Sequence, residues 1–260
     1  MSLKIFLFAL VFLPTSHTIL LNRELLSAWV PDFDTSPMID LSSKRISVID
    51  KDTFRGLSHV KELNLFDNQL TELDADLFVD LVDLERLDLD NNLLSFIQPS
   101  TFSSLAKLRE LYLQYNQIES IDSVTFHNLK QLEILHLDFN QLDELDNESF
   151  DYLIHLWYLG LAHNNLHKLN GTLFTSLISL NDLYLEGNKL TSLEEFTLTS
   201  LVNLKWINLS ANKIISIDRN IFTGMLGLEH VDLAGNPVSL IQPSYVYQLC
   251  SNNPYCKIFI

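Results

Sequence analysis

Three sets of side chains in this 260-residue chain have types and spacings that could do chemistry. Cys250 and Cys256, the two cysteines of the chain, could close a local disulfide or reach a cysteine of another chain. A local bridge would close a short loop and stabilise by about 2–3 kcal/mol at most. Asn147-Glu148-Ser149, Asn170-Gly171-Thr172 and Asn208-Leu209-Ser210 have the spacing of N-glycosylation acceptors. His136, Asp138 and His163 are metal-ligand types, but no third and fourth ligand of the usual geometry is specified, so they read as surface residues. The seven glycines are too scattered to build a phosphate-cradling loop, and neither a zinc spacing nor a nucleophile elbow occurs. The expectation is no enzyme, no cofactor and no metal.

Charge narrows the partner. Lys plus Arg number 17 against 33 Asp plus Glu, a formal net charge of −16, so a phosphate backbone would approach a field of the wrong sign. Nucleic acid is therefore not expected. Lys4, the apolar run Ile5 to Leu13 and the segment Pro14 to Thr18 have the charged, apolar, small-polar order of a secretory signal peptide. The run is far short of the roughly 20 residues that span a bilayer as a helix, and no second long run follows. A signal peptide over 1–18 and a secreted, extracellular product with no stable membrane insertion are expected.

The elements that must position these residues are set by a repeat. Leu41, Leu65, Leu89, Leu113, Leu137, Leu161, Leu185, Leu209 and Leu233 lie 24 residues apart without a slip. Three residues after each stands Asn68, Asn92, Asn116, Asn140, Asn164, Asn188, Asn212 or Asn236, with Lys44 in that place in the first unit. Two further on is an aliphatic, and later comes a bulky column of Phe54, Phe78, Phe102, Phe126, Phe150, Phe174, Leu198 and Phe222. Each unit reads LxxLxLxxNxLxxL followed by FxxLxxL.

These residues resemble the 24-residue extracellular type of leucine-rich repeat, from about Pro37 to Ile241. In layout the chain is also similar to short secreted insect leucine-rich immune proteins. The resemblance implies an α/β-type solenoid, a horseshoe of about nine repeats. Its concave face would be a parallel β-sheet and its convex side turns, 3₁₀ segments or short helices. It further implies a role in immune recognition, cell adhesion and signalling, or matrix organisation.

The residues support that shape independently. LxL alternation is the period of a strand with one buried face, and strands stack closer than the segments opposite them, so the stack bends toward the strands. Each Asn falls inside the stack and should bond to backbone of its own and neighbouring coils. A solenoid also needs capped ends. Residues 19–36 carry Leu20, Leu21, Leu25, Leu26, Trp29, Val30 and Phe33 and no cysteine, and read as an N-terminal cap; 37–242 hold nine repeats; 243–260 read as a C-terminal cap with the cysteine pair.

The register also lists what points outward from the concave sheet: the positions three and one before each reference leucine, and one and two after it. Their acids are Asp40, Glu62, Asp67, Asp88, Asp90, Glu110, Asp138, Asp182, Glu186 and Asp232, against the single base Arg86. The same columns hold Phe66, Tyr112, Tyr115, Phe139, Tyr158, Tyr184 and Trp206, with Ile134, His136 and His163 among them. Rigid aromatics ringed by charge suit a protein-binding surface, because they bury large area with few rotors to freeze. The expected site is Glu110, Tyr112, Tyr115, Ile134, His136, Asp138, Phe139, Tyr158, Asp182, Tyr184, Glu186 and Trp206, and the expected ligand is a protein with a basic surface. A homo- or heterodimer stays open. Asn147 and Asn170 fall on connecting chain and suit glycans, whereas Asn208 lies on a concave strand, where sugar would cover Tyr184 and Trp206.

Overall fold

The computed structural model describes residues 18–193, 197–218, 220–238, 249, 253 and 255–260. The expected signal peptide, apart from Thr18, and Cys250 lie outside the described residues.

The alternation of each LxL segment makes one short strand per coil. These are β2 (Met38–Asp40), β4 (Glu62–Asn64), β5 (Arg86–Asp88), β6 (Glu110–Tyr112), β7 (Ile134–His136), β8 (Tyr158–Gly160), β9 (Asp182–Tyr184), β11 (Trp206–Asn208) and β13 (His230–Asp232). All pair in parallel with a register shift of one whole repeat, so Leu63, Leu87, Leu111, Leu135, Leu159 and Leu183 stand side by side. The middle residue of each strand is buried and its neighbours face the concavity.

The convex side is made of tight turns. Leu57, Leu81, Leu105, Leu129 and Leu153 donate their N–H to the carbonyl of the column phenylalanine three residues earlier. The rings of Phe54, Phe78, Phe102, Phe126, Phe150 and Phe174 stack in one row with centroids 6.3–6.5 Å apart. Burying a side chain of this size contributes about 1.5–3 kcal/mol, so core energy is spread evenly along the stack.

The asparagines behave as the register requires. Asn140 donates Nδ2–H to the carbonyls of Leu113, Leu137 and Asp138, and its Oδ1 accepts the N–H of Ile118. Asn92, Asn116, Asn164, Asn188 and Asn212 repeat this set, each tying two coils together. In the first coil Lys44 replaces the asparagine, and its own N–H donates instead to Asn68 Oδ1.

At the front, β1 (Ile19–Leu21) pairs in parallel with β3 (Ile46–Ile49), and α1 (Arg23–Trp29) starts at Asn22, whose Oδ1 accepts the Leu25 N–H. Buried Leu26 and Phe33 cover the first coil, with the Arg23 guanidinium 4.7 Å above the Phe33 ring. Toward the back, β10 (Ser192–Leu193) and β12 (Ser216–Ile217) form a small second pair. At the back itself, β14 (Lys257–Phe259) joins the concave sheet beside β13 as its tenth described strand, with Ile258 opposite Val231. The 24-residue register does not reach β14, which lies 27 residues beyond β13. The segment read only as a cap thus also extends the sheet.

Candidate protein-binding site on the concave face

The strands present their outward residues as columns. From Tyr112 to Tyr184 the rings form a continuous ladder: Tyr112 to His136 is 5.2 Å between centroids, His136 to Tyr158 4.4 Å and Tyr158 to Tyr184 5.2 Å. Tyr158 completes the ladder from the other outward position of its strand, its ring lying between those of His136 and Tyr184. Burial raises the phenol pKa of Tyr112, Tyr158 and Tyr184 above the ordinary value, so all three stay neutral donors at physiological pH.

A second ladder stands where the chain leaves the strands. Tyr115, Phe139 and His163 stack at 4.4 Å each. All three have positive φ, at 53°, 55° and 53°, as have Asp67, Asn91, Gly187 and Ala211 in the same column. This left-handed turn lets each N–H reach across to the next coil: Tyr115 donates to the Asp138 carbonyl and Phe139 to that of Ala162. Bulky aromatics seldom take such a conformation, and non-glycine residues held there cost of order 1–3 kcal/mol each. The stacked rings occupy the costliest backbone place in the coil and stay open to solvent, Tyr115 at 53% and Phe139 at 39% exposure. The 24-residue register put them on this face but said nothing of φ. The short polar and glycine residues sharing their column were the available signal.

Between the ladders runs one column of short or acidic residues: Asp90, Gln114, Asp138, Ala162 and Glu186. The expectation that Asp138 offers its carboxylate to a partner needs correction, because it is only 8% exposed. Its Oδ1 accepts the Ala162 N–H at 2.9 Å, and its Oδ2 lies 3.1 Å from His136 Nδ1. A Cβ on Gly160 would fall 2.0 Å from Oδ2, so the carboxylate occupies the room that glycine leaves. Asp138 holds the His136 ring and lends its charge, without standing free. Asp90 is likewise covered, at 7%. Burial, helped by the neighbouring charge of Asp88, pushes its pKa up to about 8. Burial also raises the carboxyls of Asp88, Asp182 and Glu186. Buried oxygens of Asp90 (Oδ1), Gln114 (Oε1) and Glu186 (Oε2) find no hydrogen-bond partner among the described residues.

Arg86 shows how this face holds a cation. Its guanidinium lies 4.2 Å from the Tyr112 ring centroid, donates to Tyr112 Oη at 2.8 Å and to Glu110, and stands 3.5 Å from Asp88. Along the adjoining flank the bases are paired across coils, Lys61 with Glu85 at 2.8 Å and Arg109 with Glu133.

The expected site residues therefore divide. Glu110, Tyr112, His136, Tyr158, Tyr184, Tyr115, Phe139 and Glu186 surround one strip, with half-buried Ile134 beside them. Asp182 and Trp206 stand farther along, and Trp206 stacks on His230 at 3.5 Å, which in turn faces Phe259 at 4.4 Å. His230 was legible as the next member of the Trp206 column, but Phe259 lay outside the register. His163 belongs to the second ladder and not with His136 and Asp138. Among the described residues no group of three His, Cys, Asp or Glu side chains could hold a metal ion.

Asn147 is exposed, and Asn170 donates Nδ2–H to the Leu145 carbonyl at 3.2 Å. Asn208 accepts both the N–H and the hydroxyl of Ser210 in its concave strand. Cys256 packs against the core, partly buried. No described helix is long and apolar enough to cross a membrane.

The family described as leucine rich repeat matches residues 38–94, 83–142, 130–190 and 178–238. Among solved structures, the TLR13–ssRNA13 complex superposes with a TM-score of 0.72 at 28% identity, covering 76% of this chain and 28% of that one. The Drosophila Toll–Spatzle complex gives 0.65 at 23% identity over 82% of this chain and 34% of that one. The leucine-rich repeat domain of APL1B gives 0.61 at 24% over 85% and 68%; these last two likenesses show the fold alone. The chain spans less than a third of the TLR13 structure. No curated protein matches the sequence.

Proposed function

The chain belongs to the leucine-rich repeat family, and from that premise we propose that it is a secreted, non-enzymatic binding module that recognises a protein through its concave face. The observation that carries this reading is the pair of exposed aromatic ladders, one of them built at left-handed backbone positions that the fold alone would fill more cheaply with glycine or asparagine. The acids around them favour a partner with a basic surface, and the chain's net charge of −16 opposes a phosphate backbone.

Toll in complex with Spatzle is a solved case of a protein bound by a chain of this fold, and innate immune recognition is the process this reading puts first. Cell adhesion or receptor signalling is the rival process, separated by whether capture from body fluid or from cell membranes yields the partner. Glycans at Asn147 and Asn170 would leave the ladders clear, while sugar at Asn208 would crowd Tyr184; glycopeptide mass spectrometry of the secreted protein decides. A bridge from Cys256 to Cys250 would tie the last coil, and a non-reducing gel at dimer mass that collapses with reductant would overturn it.

The direct test is capture of the partner with Tyr158→Ala and Tyr184→Ala variants. Each should cost about 2 kcal/mol or more of binding, as central aromatic anchors do. Unchanged capture by both would remove this face as the site.

A further inference from the structure

The strip between the ladders has a period, and the period specifies the ligand's shape. Its carboxylates stand at Asp90, Asp138 and Glu186, each two coils from the next. Coils stack at about 4.8 Å, so successive carboxylates are about 9.6 Å apart along the sheet. In a β-strand, residues three apart point to opposite faces. A polyproline II helix returns to the same face every three residues, at about 9.3 Å per turn.

Nor is the strip simply a row of acids. Asp90 is 93% buried by its 7% exposure, and its Oδ1 still has no partner among the described residues. Gln114 Oε1 beside it and Glu186 Oε2 at the far end are in the same state. Oxygens left this way cost stability unless a donor arrives; no Lys or Arg stands in this column or in the second ladder's column between Asp90 and Glu186, and of the histidines at the strip His136 is held by Asp138 and His163 stacks on Phe139. On one side rise Tyr112, His136, Tyr158 and Tyr184, on the other Tyr115, Phe139 and His163, rings that can flank alkyl stems and guanidinium planes. Arg86 already rests on Tyr112 and carboxylates in this manner.

We propose that this strip is a slot for an extended, polyproline-like segment of the partner protein that carries basic residues at every third position. The first cation draws out the covered Asp90 carboxyl beside Gln114 and takes the place of its proton, the second passes over Asp138 and the third meets Glu186. This rests on the concave-face reading above and adds the conformation and spacing of the bound segment.

The probe is a fluorescent nine-residue peptide, three Arg-Pro-Pro units, tested by anisotropy at pH 9, where Asp90 has lost its proton, against the full secreted protein. Its comparator has the same composition with the three arginines consecutive. The spaced peptide should bind at least about tenfold more tightly. Asp90→Asn and Glu186→Gln should each weaken it by about tenfold and together remove the preference for spacing, while Glu72→Gln, an exposed acid outside the strip, should change nothing. Circular dichroism confirms that each variant is folded.

Equal affinity for the two peptides overturns the slot, as does indifference to both Asp90→Asn and Glu186→Gln. If that happens while Tyr158→Ala still abolishes capture of the natural partner, the slot falls and the concave face stands.

Discussion

Asp90 is where burial and charge conflict most sharply. Its carboxyl is pushed up to about 8 by burial and then by Asp88, whereas an unfolded aspartate titrates near about 3.9. The folded state therefore holds a proton that the unfolded state has released across that window. Its contribution to stability is complete below about pH 4, shrinks as pH rises and is gone above about pH 8. Asp90→Asn should leave the melting temperature at pH 4.5 nearly unchanged and raise stability at pH 8.5 by about 1–3 kcal/mol, read by thermal denaturation at both pH values. A wild-type Tm that does not fall relative to the variant between those values would sink the assignment. Gly160 makes a second claim at this scale. A methyl there meets the Asp138 carboxylate at 2.0 Å, so Gly160→Ala should cost about 1–3 kcal/mol. Adding Asp138→Ala should recover part of it, a coupling that a double-mutant cycle measures.

At the scale of the coil, turn chemistry repeats and side-chain choice varies. Asn140 satisfies four backbone groups from two coils. Asn140→Leu should destabilise by about 3 kcal/mol or more, since each buried group left unpaired costs about 1–3 kcal/mol. Hydrogen exchange at the Ile118 amide, which donates to Asn140, should accelerate first. Phe139 separates stability from function. Phe139→Asn suits the left-handed turn better, so the variant should keep its melting temperature within a few degrees while binding the partner at least about tenfold more weakly. Loss of stability without loss of binding would mark the second ladder as packing alone. The repeat made the Asn and Phe columns legible, because both serve the coil-to-coil contact that every unit shares. It could not show that Asp90 and Asp138 are covered: their exposure depends on what the next coil supplies, Gln114 in one case and Gly160 with Ala162 in the other.

Across the whole molecule the excess of acid is distributed unevenly. Bases on the flank of the sheet are matched across coils, as in Lys61 with Glu85 and Lys107 with Asp83, while in the strip between the ladders Asp138 has only His136 and neither Asp90 nor Glu186 has an ion pair among the described residues. Such a field acts over roughly a Debye length, about 8 Å at physiological ionic strength, so it steers encounter more than it holds the complex. The association rate with the natural partner should fall by about tenfold or more from low to high salt, with dissociation changing far less. Stopped-flow or surface binding kinetics reads both, and a salt-independent association rate would exclude steering by this face.

The solenoid, the parallel sheet, the Asn and Phe columns and the face on which a partner would be sought all follow from the repeat. A fixed 24-residue period constrains every coil by the same backbone hydrogen bonds and the same buried leucines, whatever the neighbours. Which outward side chains stand free depends on the folded stack. It laid Asp138 over Gly160, set Tyr115, Phe139 and His163 at left-handed positions, brought Phe259 to His230 and left the Asp90, Gln114 and Glu186 oxygens without partners among the described residues. The period fixes direction along one coil, whereas burial and hydrogen bonding are settled between coils, by the sizes of the residues that neighbouring coils bring together.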